Sequence, residues 1–204
     1  MEQKEVKSVG QPSHFMAMMS RMKYIERWAL MRNSDQENIS EHSLEVAMIC
    51  HMLAVISKVR LGNDVDVERA ALLGLYHDCT EIITGDMPTP IKYYNPEIKE
   101  AFKEVEKVAA KRLLDMLPED IRAYYDTLFF KAEEDKYLWK LEKAADKISA
   151  LIKCIEEEKA GNTEFADAYK TLHKAITDME LPEVDIFMEE FLPSYRKNLD
   201  QLKG

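Results

Sequence analysis

His77, Asp78 and Glu81 stand together in HDCTEIITGDMPTP (77–90), directly after the apolar run Ala70-Ala71-Leu72-Leu73-Gly74-Leu75-Tyr76. A helix that only fills a core has no use for three such groups, because each must be desolvated and given a partner. Either they satisfy one another or they hold something. On a helix, His77 and Glu81 share a face, and Asp78 lies about 100° around from His77. Neighbouring helical residues diverge, yet an ion lying off the helix surface is within reach of both a histidine nitrogen and an aspartate oxygen. Imidazole with carboxylates suits Zn, Mn, Fe or Co, and the lack of thiolate argues against a structural zinc. Taken alone, the His-Asp pair is equally the signature of a surface ion pair.

A metal needs further ligands, and the chain has 5 histidines. His42, in Ser40-Glu41-His42-Ser43, falls in the first turn of a helix, where a side chain can point past the helix end into a cavity. His51 lies near the opposite side of that helix, so the two cannot easily share one ion. His14 and His173 have no acidic or histidine partner at ligand spacing. These three read as ordinary core or surface histidines. Asp146, in Lys143-Ala144-Ala145-Asp146-Lys147-Ile148-Ser149-Ala150, has small neighbours that permit close helix approach. Its face also carries Glu142 and Lys153, so spacing alone makes it a solvated aspartate.

The elements that must position these residues are helical. Apolar positions recur at helical spacing from Ser13 to Met31. Asn38, with Glu41 three residues on, offers a relative of the capping box and opens a helix to about Arg60. That helix is apolar nearly all round, so it is expected to be central and buried. Asp66 can cap a third helix, from Val67 to about Thr84, which Gly85 ends and which Pro88 and Pro90 keep from resuming. Further helices are expected over about 96–116, 133–160, 164–179 and 184–202, with a short helix or loop around 120–130.

Composition supports an all-α fold: 6 Gly and 7 Pro in 204 residues, against many Ala, Leu, Met, Glu and Lys. The length suits one compact domain over 13–204, after a loose leader at 1–12. A net charge of −10 argues against a nucleic-acid polymer as partner, since phosphate backbones are gripped by clustered Lys and Arg. No apolar run approaches the roughly 20 residues that span a bilayer, and the first residues lack a signal-peptide core. A soluble cytoplasmic protein without a membrane partner is the expectation. Cys50, Cys79 and Cys154 are widely spaced and odd in number, which reads as buried small hydrophobes rather than disulfides or thiolate ligands.

The order His42, then His77-Asp78, then a distant Asp146, resembles the H…HD…D pattern of the HD superfamily of metal-dependent phosphohydrolases. ERWALMRN (26–33), NISEHS (38–43), YHDCTEIITGDMPTPIKY (76–93) and KAADKISA (143–150) are similar to the bacterial 5′-deoxynucleotidases of that superfamily. The likeness runs from about Ser13 to Leu202 with similar spacing. Cys79 stands where an alanine or another small residue is expected after His-Asp.

The resemblance implies a helical HD-domain bundle in which His42, His77, Asp78 and Asp146 bind one divalent transition metal ion, such as Co, Mn, Zn or Fe. It implies Glu81 as the catalytic acid beside the ion, orienting the attacking water or relaying a proton to the leaving oxygen. Arg27 would meet the phosphate, Trp28 would stack on sugar or base, Asp86 would accept from the 3′-hydroxyl, and Thr84 and Thr89 would supply pocket hydroxyls. The implied substrate is a deoxyribonucleoside 5′-monophosphate, and the implied assembly a homodimer. The competing readings are an HD phosphohydrolase for triphosphates or alarmones and a non-catalytic nucleotide-binding scaffold. The lack of a second histidine set speaks against the two-metal cyclic-dinucleotide enzymes.

Overall fold

A computed structural model describes residues 12–92 and 94–203. The expected leader lies, apart from Pro12, outside the described residues. The helices are α1 (Phe15–Met19), α2 (Ile39–Arg60), α3 (Val67–Tyr76), α4 (Glu81–Thr84), α5 (Thr89–Lys92), α6 (Pro96–Leu114), α7 (Glu119–Phe129), α8 (Lys136–Lys159), α9 (Ala166–Thr177), α10 (Pro182–Glu190) and α11 (Leu199–Leu202), with tight 3-10 turns at Ser20–Tyr24 and Leu192–Arg196. Among the described residues the only β-type pairing is an isolated bridge between Glu26 and Asn38. The fold is all-α, as composition requires.

Two long helices organise the bundle. α2 packs on α3, α8 and α10, while α8 packs on α2, α3 and α9. Val46, Ile49, Leu53, Leu73, Ala144, Ile148 and Leu151 form the centre of the core where α2, α3 and α8 meet. The α2–α3 contact is close because Gly74 has no side chain: a Cβ there would stand 2.8 Å from the Ala47 Cα. A smaller cluster of Phe15, Met19, Met22, Ile39, Cys79 and Leu113 seats the N-terminal segment over the end of α3. All three cysteines are free and buried.

The start of α2 follows its local signals. Asn38 accepts from the N–H groups of Ser40 and Glu41, and the Glu41 side chain returns the bond to the Asn38 N–H, completing the capping box. Asp66 likewise caps α3 through the Arg69 N–H. α2 is not buried on every side, because Leu44, Met48 and Val59 are exposed. It also has the length and mean hydropathy of a bilayer span, which the sequence reading overlooked, yet it lies at the centre of a packed bundle.

Three expected helices are interrupted. The helix expected over 13–31 stops at Tyr24, and the chain extends at Ile25 because residues 25–27 pair with 37–39: the Arg27 N–H donates to the Glu37 carbonyl at 2.9 Å and the Ile39 N–H to the Ile25 carbonyl at 3.0 Å. The helix expected over 67–84 breaks after Tyr76. His77 Nδ1 lies 2.7 Å from the Gly74 carbonyl, the acceptor that the next helical N–H would use, and the ladder tightens to bonds such as Cys79 N–H to Tyr76 and Glu81 N–H to Asp78. The last helix divides at Phe191, where Pro193 has no N–H to continue it.

Candidate metal and nucleotide site

The first turn of α2, the break after α3 and the middle of α8 converge on one point. His42 Nε2 lies 3.6 Å from Asp78 Oδ2 and 3.3 Å from Asp146 Oδ1. His77 Nε2 lies 3.0 Å from the same Asp78 oxygen. His42, His77 and Asp146 each bring one ligand atom to within 4.8 Å of the others. Asp146 is therefore no solvated aspartate: the close approach of α2 and α8 delivers it to His42. His14, His51 and His173 are exposed and take no part.

The donor set fits a metal. Both imidazole Nε2 atoms are buried and make no hydrogen bond, although carboxylate oxygens stand nearby. Their tautomers follow from their other nitrogens. His77 Nδ1 can only donate to the Gly74 carbonyl, and His42 Nδ1 donates to Ser149 Oγ at 3.1 Å, whose hydroxyl donates in turn to Glu45 at 2.6 Å. Each ring, held at Nδ1 by an outer partner in the manner of metal-ligating histidines, thus turns its Nε2 toward the cluster. Two imidazoles with carboxylates form a group suited to a divalent transition ion.

Electrostatics tie the cluster together. Burial opposes a charged His77, but Asp78 outweighs it and pushes the imidazole up to about 10. Burial likewise opposes a charged Asp78, and His77 outweighs it, holding the carboxyl well below its usual range. Glu81 goes the other way: burial first, then Asp78 and Asp86, push its carboxyl up to about 9. Its Oε2 is buried without a hydrogen-bond partner. Of the cluster's carboxyls, Glu81 is thus the one whose surroundings most favour holding a proton, beside an Asp78 held ionised.

The cluster opens into a cavity of about 380 Å³ whose lining includes Arg27, Trp28, Asp78, Glu81, Asp86, Thr89 and Asp146. Arg27 Nη1 reaches within 3.5 Å of Asp78 Oδ2. Burial raises the Asp86 carboxyl above its usual range, while Arg27 and the Trp28 backbone N–H pull it back. Lys92 and Lys147 add cationic lining, and Leu30, Leu172 and Ala175 give the far end apolar walls. Thr84 does not line this cavity; its hydroxyl caps the turn by donating to the Gly85 carbonyl at 3.0 Å. The sequence reading also missed Glu37, Ser149 and Glu45. Ser149 lies inside the motif-bearing segment 143–150 and Glu37 directly before the segment 38–43, but only tertiary contact gives them work.

The sequence matches the 5′-deoxynucleotidase YfbR-like family over residues 14–195. It is 45% identical over 190 residues to a 5′-deoxynucleotidase of Erwinia tasmaniensis, spanning 93% of this chain and 96% of that one. A Vibrio vulnificus 5′-deoxynucleotidase is 44% identical over 192 residues, spanning 94% and 99%. In fold, it is similar to an HD-domain phosphohydrolase from Listeria innocua, with a TM-score of 0.78, 25% identity and coverage of 89% and 88%. A cyanophage S-2L HD phosphohydrolase, DatZ, bound to dA and one catalytic Zn2+ ion, shares the fold at a TM-score of 0.63, 24% identity and coverage of 93% and 99%. With the family matched from residue 14 to 195, the chain belongs to the YfbR-like 5′-deoxynucleotidases and carries the HD-domain phosphohydrolase fold.

Proposed function

We propose that this protein hydrolyses deoxyribonucleoside 5′-monophosphates to the deoxynucleoside and phosphate, with one divalent transition metal ion held by His42, His77, Asp78 and Asp146. The observation that carries this reading is the pair of buried, unpartnered imidazole nitrogens converging with Asp78 and Asp146, which line a cavity of about 380 Å³. When bound, the ion supplies Lewis acidity that activates water and neutralises phosphoryl charge.

The chain's own residues do the rest. Arg27, at the cavity wall beside Asp78, takes a phosphate oxygen and offsets its charge. Glu81 has a buried carboxyl in the cavity lining whose surroundings favour holding a proton, which suits it to protonate the 5′-oxygen as the P–O5′ bond breaks and water adds to phosphorus. Asp86 is placed to accept from the 3′-hydroxyl, and Thr89 lies beside it in the lining. Trp28 forms a wall against the sugar rather than a free stacking plate, because its Nε1 donates to Glu37 and its ring packs edge-on against Phe165. Thr84 acts on the pocket only through the turn it caps.

We read residues 13–204 as one catalytic domain in a cytoplasmic homodimer. The exposed Leu44, Met48 and Val59 on α2, with Leu72 and Leu75 on the adjacent α3, support an apolar face of this kind. Light scattering on the purified protein tests the dimer.

The deciding experiment is phosphate release from deoxyadenosine 5′-monophosphate and from its ribose counterpart, using metal-stripped protein resupplied with Co, Mn, Zn or Mg. Release from the deoxy substrate alone, metal-dependent and abolished in Asp78→Ala, supports the assignment. No release from either substrate with any metal overturns it.

A further inference from the structure

Glu37 stands between the metal cluster and the Arg27–Trp28 pair, and the reaction outlined above does not use it. Its Oε2 accepts from Trp28 Nε1 at 2.8 Å and lies 3.4 Å from Arg27 Nε. Its Oε1 lies 3.5 Å from His42 Nδ1, the nitrogen opposite the one that faces the ion site, and flanks the bond which that nitrogen makes to Ser149 Oγ. A single carboxylate, with a side chain only 13% exposed, therefore touches a metal ligand and both residues of the nucleotide wall.

Its backbone is fixed just as firmly. The bridge between Glu26 and Asn38 pins the peptide on either side, and the Arg27 N–H donates to the carbonyl of Glu37 itself. Trp28 needs this support. Its φ is +60°, a left-handed conformation that costs an L-residue roughly 1–2 kcal/mol. The indole is held by Glu37 at its N–H edge and by Phe165 at a ring separation of 5.3 Å.

We propose that Glu37 is a positioning residue whose two carboxylate oxygens set the His42 ring and the Arg27–Trp28 wall together, so that one side chain aligns ion and nucleotide. The proposal rests on the deoxynucleotidase reading above. Glu157 gives the contrasting case of an anchor: it accepts from the Ser34 and Asp35 N–H groups and from Asn162, and so holds the same loop without touching Arg27, Trp28 or His42.

The test compares Glu37→Ala and Glu37→Gln with Glu157→Gln as the loop control. Metal-stripped protein is titrated with Co2+, followed by its visible absorption, and KM and kcat are measured with deoxyadenosine 5′-monophosphate. Glu37→Ala is expected to weaken Co2+ binding severalfold, because it removes the carboxylate beside His42 Nδ1 while the Ser149 bond remains, and to raise KM as well. Glu37→Gln keeps one acceptor oxygen, which the short Trp28 bond retains. It is expected to recover KM while Co2+ binding stays weak. Equal Co2+ affinity and KM in Glu37→Ala and wild type overturn the proposal, as does a Glu37→Ala variant that loses only melting temperature, as Glu157→Gln is expected to do. If wild type cleaves no monophosphate, the reaction reading fails, and the Co2+ titration still decides the action of Glu37 on His42.

Discussion

Oδ2 of Asp78 lies 3.0 Å from Nε2 of His77, although the two are neighbours in the chain and stem from diverging positions. Their side chains meet beyond the helix surface, on the side where His42 and Asp146 arrive from other helices. Removing Asp78 deletes a carboxylate that lies within 3.6 Å of both imidazole Nε2 atoms and of Arg27. Asp78→Ala is expected to lose phosphate release by about a thousandfold or more and to bind Co2+ too weakly to raise its melting temperature. In wild type, an ion at about 100 times its Kd adds roughly 2.7 kcal/mol of stability, which a thermal melt reads directly.

Glu81→Gln separates chemistry from ion binding. Burial, Asp78 and Asp86 push the carboxyl up to about 9, and an amide of the same shape fits the same space. Co2+ affinity and melting temperature are expected to stay near wild type. The kcat is expected to fall about 10²- to 10⁴-fold, the range for loss of a positioned proton donor. Steady-state kinetics beside a Co2+ titration checks both.

Gly74 combines two duties. Its missing side chain lets α3 touch α2, and its carbonyl fixes the His77 ring. The Cβ of Gly74→Ala would meet the backbone of Ala47 and Val46 at 2.8 to 3.1 Å, and backbone cannot yield as a side chain can. Overpacking of this kind costs about 1–3 kcal/mol. The variant is expected to melt lower and to bind Co2+ more weakly, because the helix that carries His77 is pushed away from His42.

Glu157 makes stability acid-sensitive. Burial works against its charge, but Lys153 at 2.5 Å, Asn162 and the Ser34 N–H outweigh it and draw the carboxyl from 4.5 down to about 2. A carboxyl depressed on folding contributes stability that is complete above its unfolded value and is lost as pH falls through the folded one. The loss is therefore expected between about pH 4.5 and pH 2. Glu157→Gln is expected to flatten that part of the curve. At pH 7 it is expected to cost stability, since the buried Lys153 ammonium loses its counter-charge and keeps only the Asp35 carbonyl and the Phe165 ring. Thermal melts of both proteins across this range measure the difference.

Much of this protein is written in local sequence. Low Gly and Pro content and the 3.6-residue periodicity determine an all-α chain, and Asn38 with Glu41 determines where α2 begins, because a cap is satisfied within a few residues. The types and order of His42, His77-Asp78 and Asp146 identify the ligand set through family resemblance, though their spacing by itself does not. Tertiary structure alone decided the rest. The helix expected over 13–31 ends early because residues 25–27 find backbone partners at 37–39, a pairing with no trace in either segment's periodicity. The break after Tyr76 depends on a side chain bonding the ladder's own acceptor. Asp146 reads as solvated until Gly74, Ala47, Ala144 and Ala145 bring α2, α3 and α8 close enough to bury its neighbours and deliver it to His42. Glu37 has no signature of its own in the sequence, because its role consists of contacts with three residues that only the folded chain places around it.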